Sequence, residues 1–240
     1  VTEPFRQWMV EDRFVGSRPS LEDVGVLVTE DVEPYERMKL RLLNAGHSCL
    51  AYLAAIRGYE TVDEAMADPD LRSFIGEFLN LEARPALPPV PGIDLDEYCS
   101  SLLERFANPQ IGDQISRLCL DGTSKFPKFL LPTIREQLRR GGPIALGALA
   151  LAAWCEYLHG RTEDGAALPP APDPLLEDAK RHAEAARSDP AAFLGFSQVF
   201  GDDLAEPGRF RDAFVAAVEA LRTSGVASTI RSGLRASAPG

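Results

Sequence analysis

The chain's 240 residues suffice for one large domain or two small ones, and 45% hydrophobic with 25% charged residues is an ordinary globular composition. A formal net charge of -11 argues against nucleic acid or an anionic membrane as partner, because either calls for a basic face. Residues 1–9 include Glu3, Arg6 and Gln7 and no apolar run, so no signal peptide is expected, and the uncharged stretch 141–155 is short for a bilayer span. Four scattered cysteines (Cys49, Cys99, Cys119, Cys155) form no CxxC pair. They are expected as reduced core residues of a cytoplasmic protein.

Taken in chain order, the first regular element is a β-rich run at 24–29 (VGVLVT), read as a short edge or connecting strand. From there the period is helical. Apolar residues recur at three- and four-residue spacing over 34–56, 95–106, 111–118, 126–140, 144–158, 174–187, 190–199 and 209–221. Pro34 suits a first helical turn, Asp189-Pro190 opens another helix, and Gly141-Gly142 closes one. The Pro-rich stretches 84–92 and 168–174 read as exposed linkers, and the small, polar end from Ser232 as a fraying, flexible tail. No internal repeat occurs. The fold predicted is all-α, one multi-helical domain over 1–240 with little or no β.

A dinucleotide site of the Rossmann kind needs a strand, a G-x-G-x-x-G turn and a helix around the pyrophosphate. Gly141, Gly142 and Gly147 come closest, with the wrong spacing and no strand before them. The chain alone is therefore expected to bind a dinucleotide poorly.

The helix expected at 34–56 (PYERMKLRLLNAGHSCLAYLAAI) carries the strongest hint of a site. At about 100° per residue, His47 falls about 80° and Asn44 about 140° from Lys39. The remaining faces are largely apolar, which marks a buried helix. Lys, Asn and His there cost several kcal/mol in desolvation unless paired or put to use. A hydrogen-bonded structural His47 and a Lys39 that reaches solvent is the plainer alternative. The chemistry is coherent nonetheless: a lysine in a closed pocket can act as a base, an asparagine amide can donate to a developing oxyanion, and a histidine can orient a hydroxyl. His159, beside Gly160, reads as a loop or pocket-rim residue and His182 as a surface one. No cluster has metal-ligand spacing.

The run Lys39-Leu40-Arg41-Leu42-Leu43-Asn44-Ala45-Gly46-His47 resembles the K-x(4)-N-x(2)-H signature of long-chain mannitol dehydrogenases and the related hexuronate reductases. Glu3-Pro4-Phe5-Arg6-Gln7-Trp8 with Glu11-Asp12 is similar to the segment by which that family leaves its nucleotide-binding domain. Asn108-Pro109-Gln110-Ile111, Arg117-x(3)-Asp121-Gly122-x(2)-Lys125-x-Pro127, and Val199-Phe200-Gly201 with Asp203-Leu204 resemble its later motifs, in order along the chain.

The resemblance implies the C-terminal, substrate-binding domain of a metal-independent oxidoreductase that uses NAD or NADP. It implies Lys39 as the general base, Asn44 as stabiliser of the alkoxide, and His47 as holder of the substrate hydroxyl or tuner of Lys39. Arg117 and Lys125 would contact a polyol or a terminal carboxylate. The substrate would be a sugar alcohol or aldonate, interconverted with its ketose or ketouronate. The cofactor would be held mainly by an N-terminal Rossmann domain, in cis or in trans, without which the chain is expected to be inactive. A helical small-molecule-binding or regulatory module that keeps the pocket without redox activity is the competing expectation.

Overall fold

The computed structural model describes residues 5–237, and its helices largely follow the apolar periods of the chain. The expected opening motif at Glu3-Pro4 and the last three residues of the expected tail lie outside the described residues. Ahead of the helices, β1 (Met9–Glu11) and β2 (Leu27–Thr29) pair in parallel, Met9 opposite Leu27 and Glu11 opposite Thr29. β2 falls within the expected strand, whereas β1 has too few residues to reveal an alternation.

Helix α1 (residues 33–57) starts with Pro34 in its first turn, where a missing N–H costs no hydrogen bond. Gly58, at φ 85°, closes it. Apolar spacing did not predict α2 (Val62–Ala67) or α3 (residues 69–83), yet polar residues mark both starts. Thr61 and Glu64 form a reciprocal capping box, and the Asp68 carboxylate accepts the N–H groups of Asp70 and Leu71, with Pro69 leading the helix. Helix α4 (Leu95–Phe106), capped by Asp94, matches its apolar period, while α5 (Ile115–Leu118) takes up only the second half of 111–118.

The helix expected at 126–140 divides at Leu130 into α6 (Gly122–Phe129) and α7 (Leu131–Arg140), with Pro132 in the first turn of the second piece. Then come α8 (Ala145–Tyr157) and α9 (Leu176–Ala185). Residues 190–199 form a 3₁₀ turn (Pro190–Gly195) and the short α10 (Ser197–Phe200) rather than one helix. Helix α11 (Arg209–Ser237) kinks at Gly225, whose φ of 72° and ψ of 173° only glycine adopts readily. The expected tail from Ser232 is helical as far as Ser237.

Helix α8 is apolar on every side and is the centre of the molecule, packed between α1 and α11. Its Trp154 joins Phe126 at 4.9 Å and Phe193 at 5.0 Å between ring centroids, and Tyr52 lies at the same cluster. Two first-turn N–H groups of α8, those of Leu146 and Gly147, donate at 2.7 and 2.8 Å to the carboxylate of Glu82, itself buried on α3. A side chain thus supplies acceptors that the helix start lacks. Burial pushes the Glu82 carboxyl up to about 7, with those two donors opposing the shift.

The Pro-rich stretches are fastened down rather than freely exposed. Ala86 and Val90 are buried in the first. In the second, the Ala171 N–H donates to Tyr157 Oη at 2.6 Å, and Asp173 accepts the Thr123 N–H at 2.8 Å. All four cysteines are free and buried, as expected. Among the described residues no helix is long and apolar enough to cross a membrane.

Candidate active site

Helix α1 is not α-helical throughout. Residues Glu33–Met38 and Ala45–Arg57 are α-helical, but Lys39–Asn44 between them is a π turn. A π ladder bonds i to i+5, so the sixth residue returns over the first as the fifth does in an α-helix. Lys39 and Asn44 are separated by that interval of five. The 140° between them on an ideal wheel therefore overstates their divergence. Such single π turns inside α-helices are frequent at functional sites.

Met38 and Leu42 anchor the turn in the core at zero exposure, while Lys39 is exposed and Asn44 partly buried. The expectation that Lys39 lies within a buried helix is corrected here: the turn faces it outward. Among the described residues, no carboxylate pairs with the Lys39 ammonium and no group hydrogen-bonds the Asn44 amide.

His47 follows at the start of the second α segment. Its ring stacks on Phe106 of α4 at 4.1 Å and 20°. Gly46 permits that approach, since a Cβ there would already stand 3.4 Å from the Phe106 ring. Burial pulls the His47 imidazole down to about 4. Asp113 opposes the shift, and the positive charges of Arg117, Arg105 and Lys125 add to it. At neutral pH the ring is uncharged, offering one donor and one acceptor.

Arg117 and Lys125 are near enough for their charges to act on this histidine. Arg117 pairs with Asp113 through Nε at 2.7 Å and through Nη2. Lys125 donates to the Leu118 carbonyl at 3.1 Å, and burial lowers its pKa. The spacing from Arg117 to Lys125 depends on Asp121 and Gly122 between them. Asp121 takes a left-handed φ of 56° at the entry to α6. At Gly122 a Cβ would sit 2.5 Å from Tyr52 Oη and 3.1 Å from Trp154 Nε1.

His47, Asp113, Arg105 and Asn108 line a cavity of about 170 Å³. A larger one, about 860 Å³, lies beside Arg117, Tyr59 and the Pro-rich stretch 167–172. Lys39 and Asn44 line neither. The described residues therefore bring His47, Arg117 and Lys125 into one electrostatic neighbourhood and set Lys39 and Asn44 at the two ends of the π turn, without enclosing all five in one pocket. Sequence reasoning missed Asp113 and Phe106. The first was detectable as an Asp four residues ahead of an Arg, whereas nothing local marks the second.

His159 and His182 are both partly buried. The one is at 3.8 Å from Glu156, and the other is stacked on Phe196 at 4.9 Å, so the surface reading of His182 is corrected. Among the described residues the one tight grouping of potential metal ligands is Cys155, Glu156 and His159. Its Glu156 oxygen is already held by Arg222 at 2.8 and 2.9 Å, which makes it an ion pair rather than a vacant ligand.

The family described as mannitol dehydrogenase C-terminal domain matches residues 31–222, and the chain belongs to it. Over 233 residues it is 40% identical to mannitol 2-dehydrogenase of Aspergillus fumigatus, covering 96% of this chain and 46% of that protein. With mannitol 2-dehydrogenase of Phaeosphaeria nodorum the identity is 42%, over 96% and 40%. Among solved structures, Pseudomonas fluorescens mannitol 2-dehydrogenase in ternary complex with NAD and D-mannitol aligns with a TM-score of 0.88 at 41% identity. That alignment covers 97% of this chain and 47% of the other. A substrate-free D-sorbitol dehydrogenase aligns at 0.87 and 31%, over 94% and 46%. The chain thus spans about half the length of the relatives it matches.

Proposed function

We propose that this chain is the substrate-binding and catalytic half of an NAD(P)-dependent dehydrogenase oxidising a secondary hydroxyl of a sugar alcohol. The reading rests on one observation above the others: in a mannitol dehydrogenase C-terminal domain, Lys39 and Asn44 begin and end a single π turn, and His47 follows three residues later beside a cavity. Lys39 takes the proton from the substrate hydroxyl. The Asn44 amide donates to the oxygen as negative charge develops there. His47, neutral at working pH, orients the same hydroxyl, and Arg117 and Lys125 hold the rest of the polyol. A nicotinamide cofactor, when bound, accepts the hydride. The described residues include no glycine-rich strand-to-helix turn to hold its pyrophosphate.

The cofactor is therefore assigned to a nucleotide-binding half, in the same polypeptide or a separate one. That half would also complete the walls around Lys39 and cover β1 and β2. No step in this reading calls on a metal. The two cations at the substrate end also suit an aldonate or hexuronate, so carboxylate substrates belong in the same assay. The test is a substrate panel on the chain joined to its nucleotide-binding half, with NAD and NADP. Sugar alcohols should be oxidised, the present chain alone should reduce no cofactor, and Lys39→Ala should lower kcat about 100-fold or more. Near-normal turnover with an unchanged pH–rate profile would remove Lys39 from the mechanism.

A further inference from the structure

Asp113 lies in the connection between α4 and α5, 16% exposed, and is held there by backbone bonds to the segment joining α1 and α2. The Val62 N–H donates to the Asp113 carbonyl at 2.9 Å, the Ile115 N–H to the Glu60 carbonyl at 2.9 Å, and Thr61 bridges Gln114. Onto this fixed carboxylate the Arg117 guanidinium docks with Nε and Nη2. A guanidinium has five N–H donors in a rigid plane. The fork uses two, and its geometry dictates where the other three point. The Arg117 side chain is 60% exposed, and among the described residues its hydrogen bonds are the two of the fork. Asp113 lines the cavity of His47 and Arg117 lines the larger one, which makes this pair the seam between the two.

We infer that Asp113 is a positioning residue for the polyol site: by clamping Arg117 it sets the direction from which the guanidinium holds the far hydroxyls of a substrate whose reacting hydroxyl lies at His47. The inference rests on the reading of Arg117 as a substrate contact. Its carboxylate is also the counter-charge to a neighbourhood otherwise dominated by Arg105, Arg117 and Lys125. A carboxylate that merely stabilised the fold would affect melting, not the affinity for polyol alone.

The experiment uses the full-length enzyme carrying Asp113→Asn, Arg117→Lys and both together, with kcat and KM measured for mannitol and NAD. Losing a charge-assisted fork should raise the mannitol KM about tenfold in each single variant, with kcat and the NAD KM within about twofold of wild type. Because the pair acts as a unit, the double variant should be no worse than the worse single. A wild-type mannitol KM in Asp113→Asn, or single effects that multiply in the double variant, would overturn the clamp. Should Asp113→Asn not fold, Asp113→Glu, which keeps the charge and displaces the fork, takes its place, and an unchanged mannitol KM then refutes the proposal. If the wild-type enzyme itself oxidises no polyol, the functional reading fails, and this inference with it.

Discussion

The segment before α1 and the helical body after it put their large apolar side chains in opposite places. In the body, Tyr52, Phe74, Phe126, Trp154, Phe193 and Phe214 are all but fully buried. Of the exposed large hydrophobics among the described residues, Phe5, Trp8, Phe14, Val15, Val24 and Leu27 belong to the segment, and Ile111 alone to the body. Parallel strands are normally covered on both faces, and two short strands are marginal by themselves. The match to the C-terminal domain family begins at residue 31, where the segment ends. The difference teaches that the body satisfies its own core, whereas the segment leaves Trp8 and its neighbours facing solvent.

The comparison can be broken most sharply inside the body. Gly122→Ala would drive a methyl group into Tyr52 Oη and the Trp154 indole, neither of which has room to retreat. The expected loss is at the upper end of about 1–3 kcal/mol, read from denaturant unfolding. A variant as stable as wild type would mean that the core is looser than the aromatic cluster implies.

Glu82 gives a smaller effect with a pH signature. Its carboxyl rises from the usual 4.5 to about 7 on folding, so the folded state binds the extra proton. That contribution to stability is complete below about 4.5 and disappears as pH climbs through about 7. Glu82→Gln cannot titrate, so the unfolding free energy of the variant should fall less between pH 5 and pH 8 than that of wild type, by an amount on the order of 1 kcal/mol, read from denaturant unfolding. Parallel curves would show that Glu82 keeps one protonation state throughout.

Smallest of all is the expected effect of Trp8→Ser on this chain. At 61% exposure the indole should contribute no more than about 0.5 kcal/mol. The same substitution in the full-length enzyme, where the proposed nucleotide-binding half would cover the ring, should cost up to about 3 kcal/mol. Equal effects in the two proteins would erase the contrast between segment and body.

Much of this was legible in the residues. Apolar spacing located α1, α4, α8 and α9, because a core-facing stripe repeats with the helical turn. The starts of α2 and α3 were also written, in Thr61-x-x-Glu64 and Asp68-Pro69, but as caps rather than as an apolar period, and a reading led by period passed over them. The Lys39, Asn44 and His47 motif could be found in the string. Its π turn could not, because the apolar spacing of the string does not distinguish an i+4 from an i+5 ladder over a single turn. The stack of His47 on Phe106 joins residues 59 positions apart, a separation that no local pattern encodes.

The π turn also makes the spacing of the motif a matter of counting. It accommodates one more residue than the α-helix around it would. Deleting a single residue between Lys39 and Asn44 would let the ladder relapse to ordinary α geometry, with four steps in place of five, so everything upstream would keep nearly its present bearing relative to His47. The composition of the helix would barely change, and the amine would still address the same side of the molecule. A helix with a built-in odd residue thus absorbs a one-residue loss at that place better than an unbroken α-helix, in which the same deletion would turn everything upstream by about 100°.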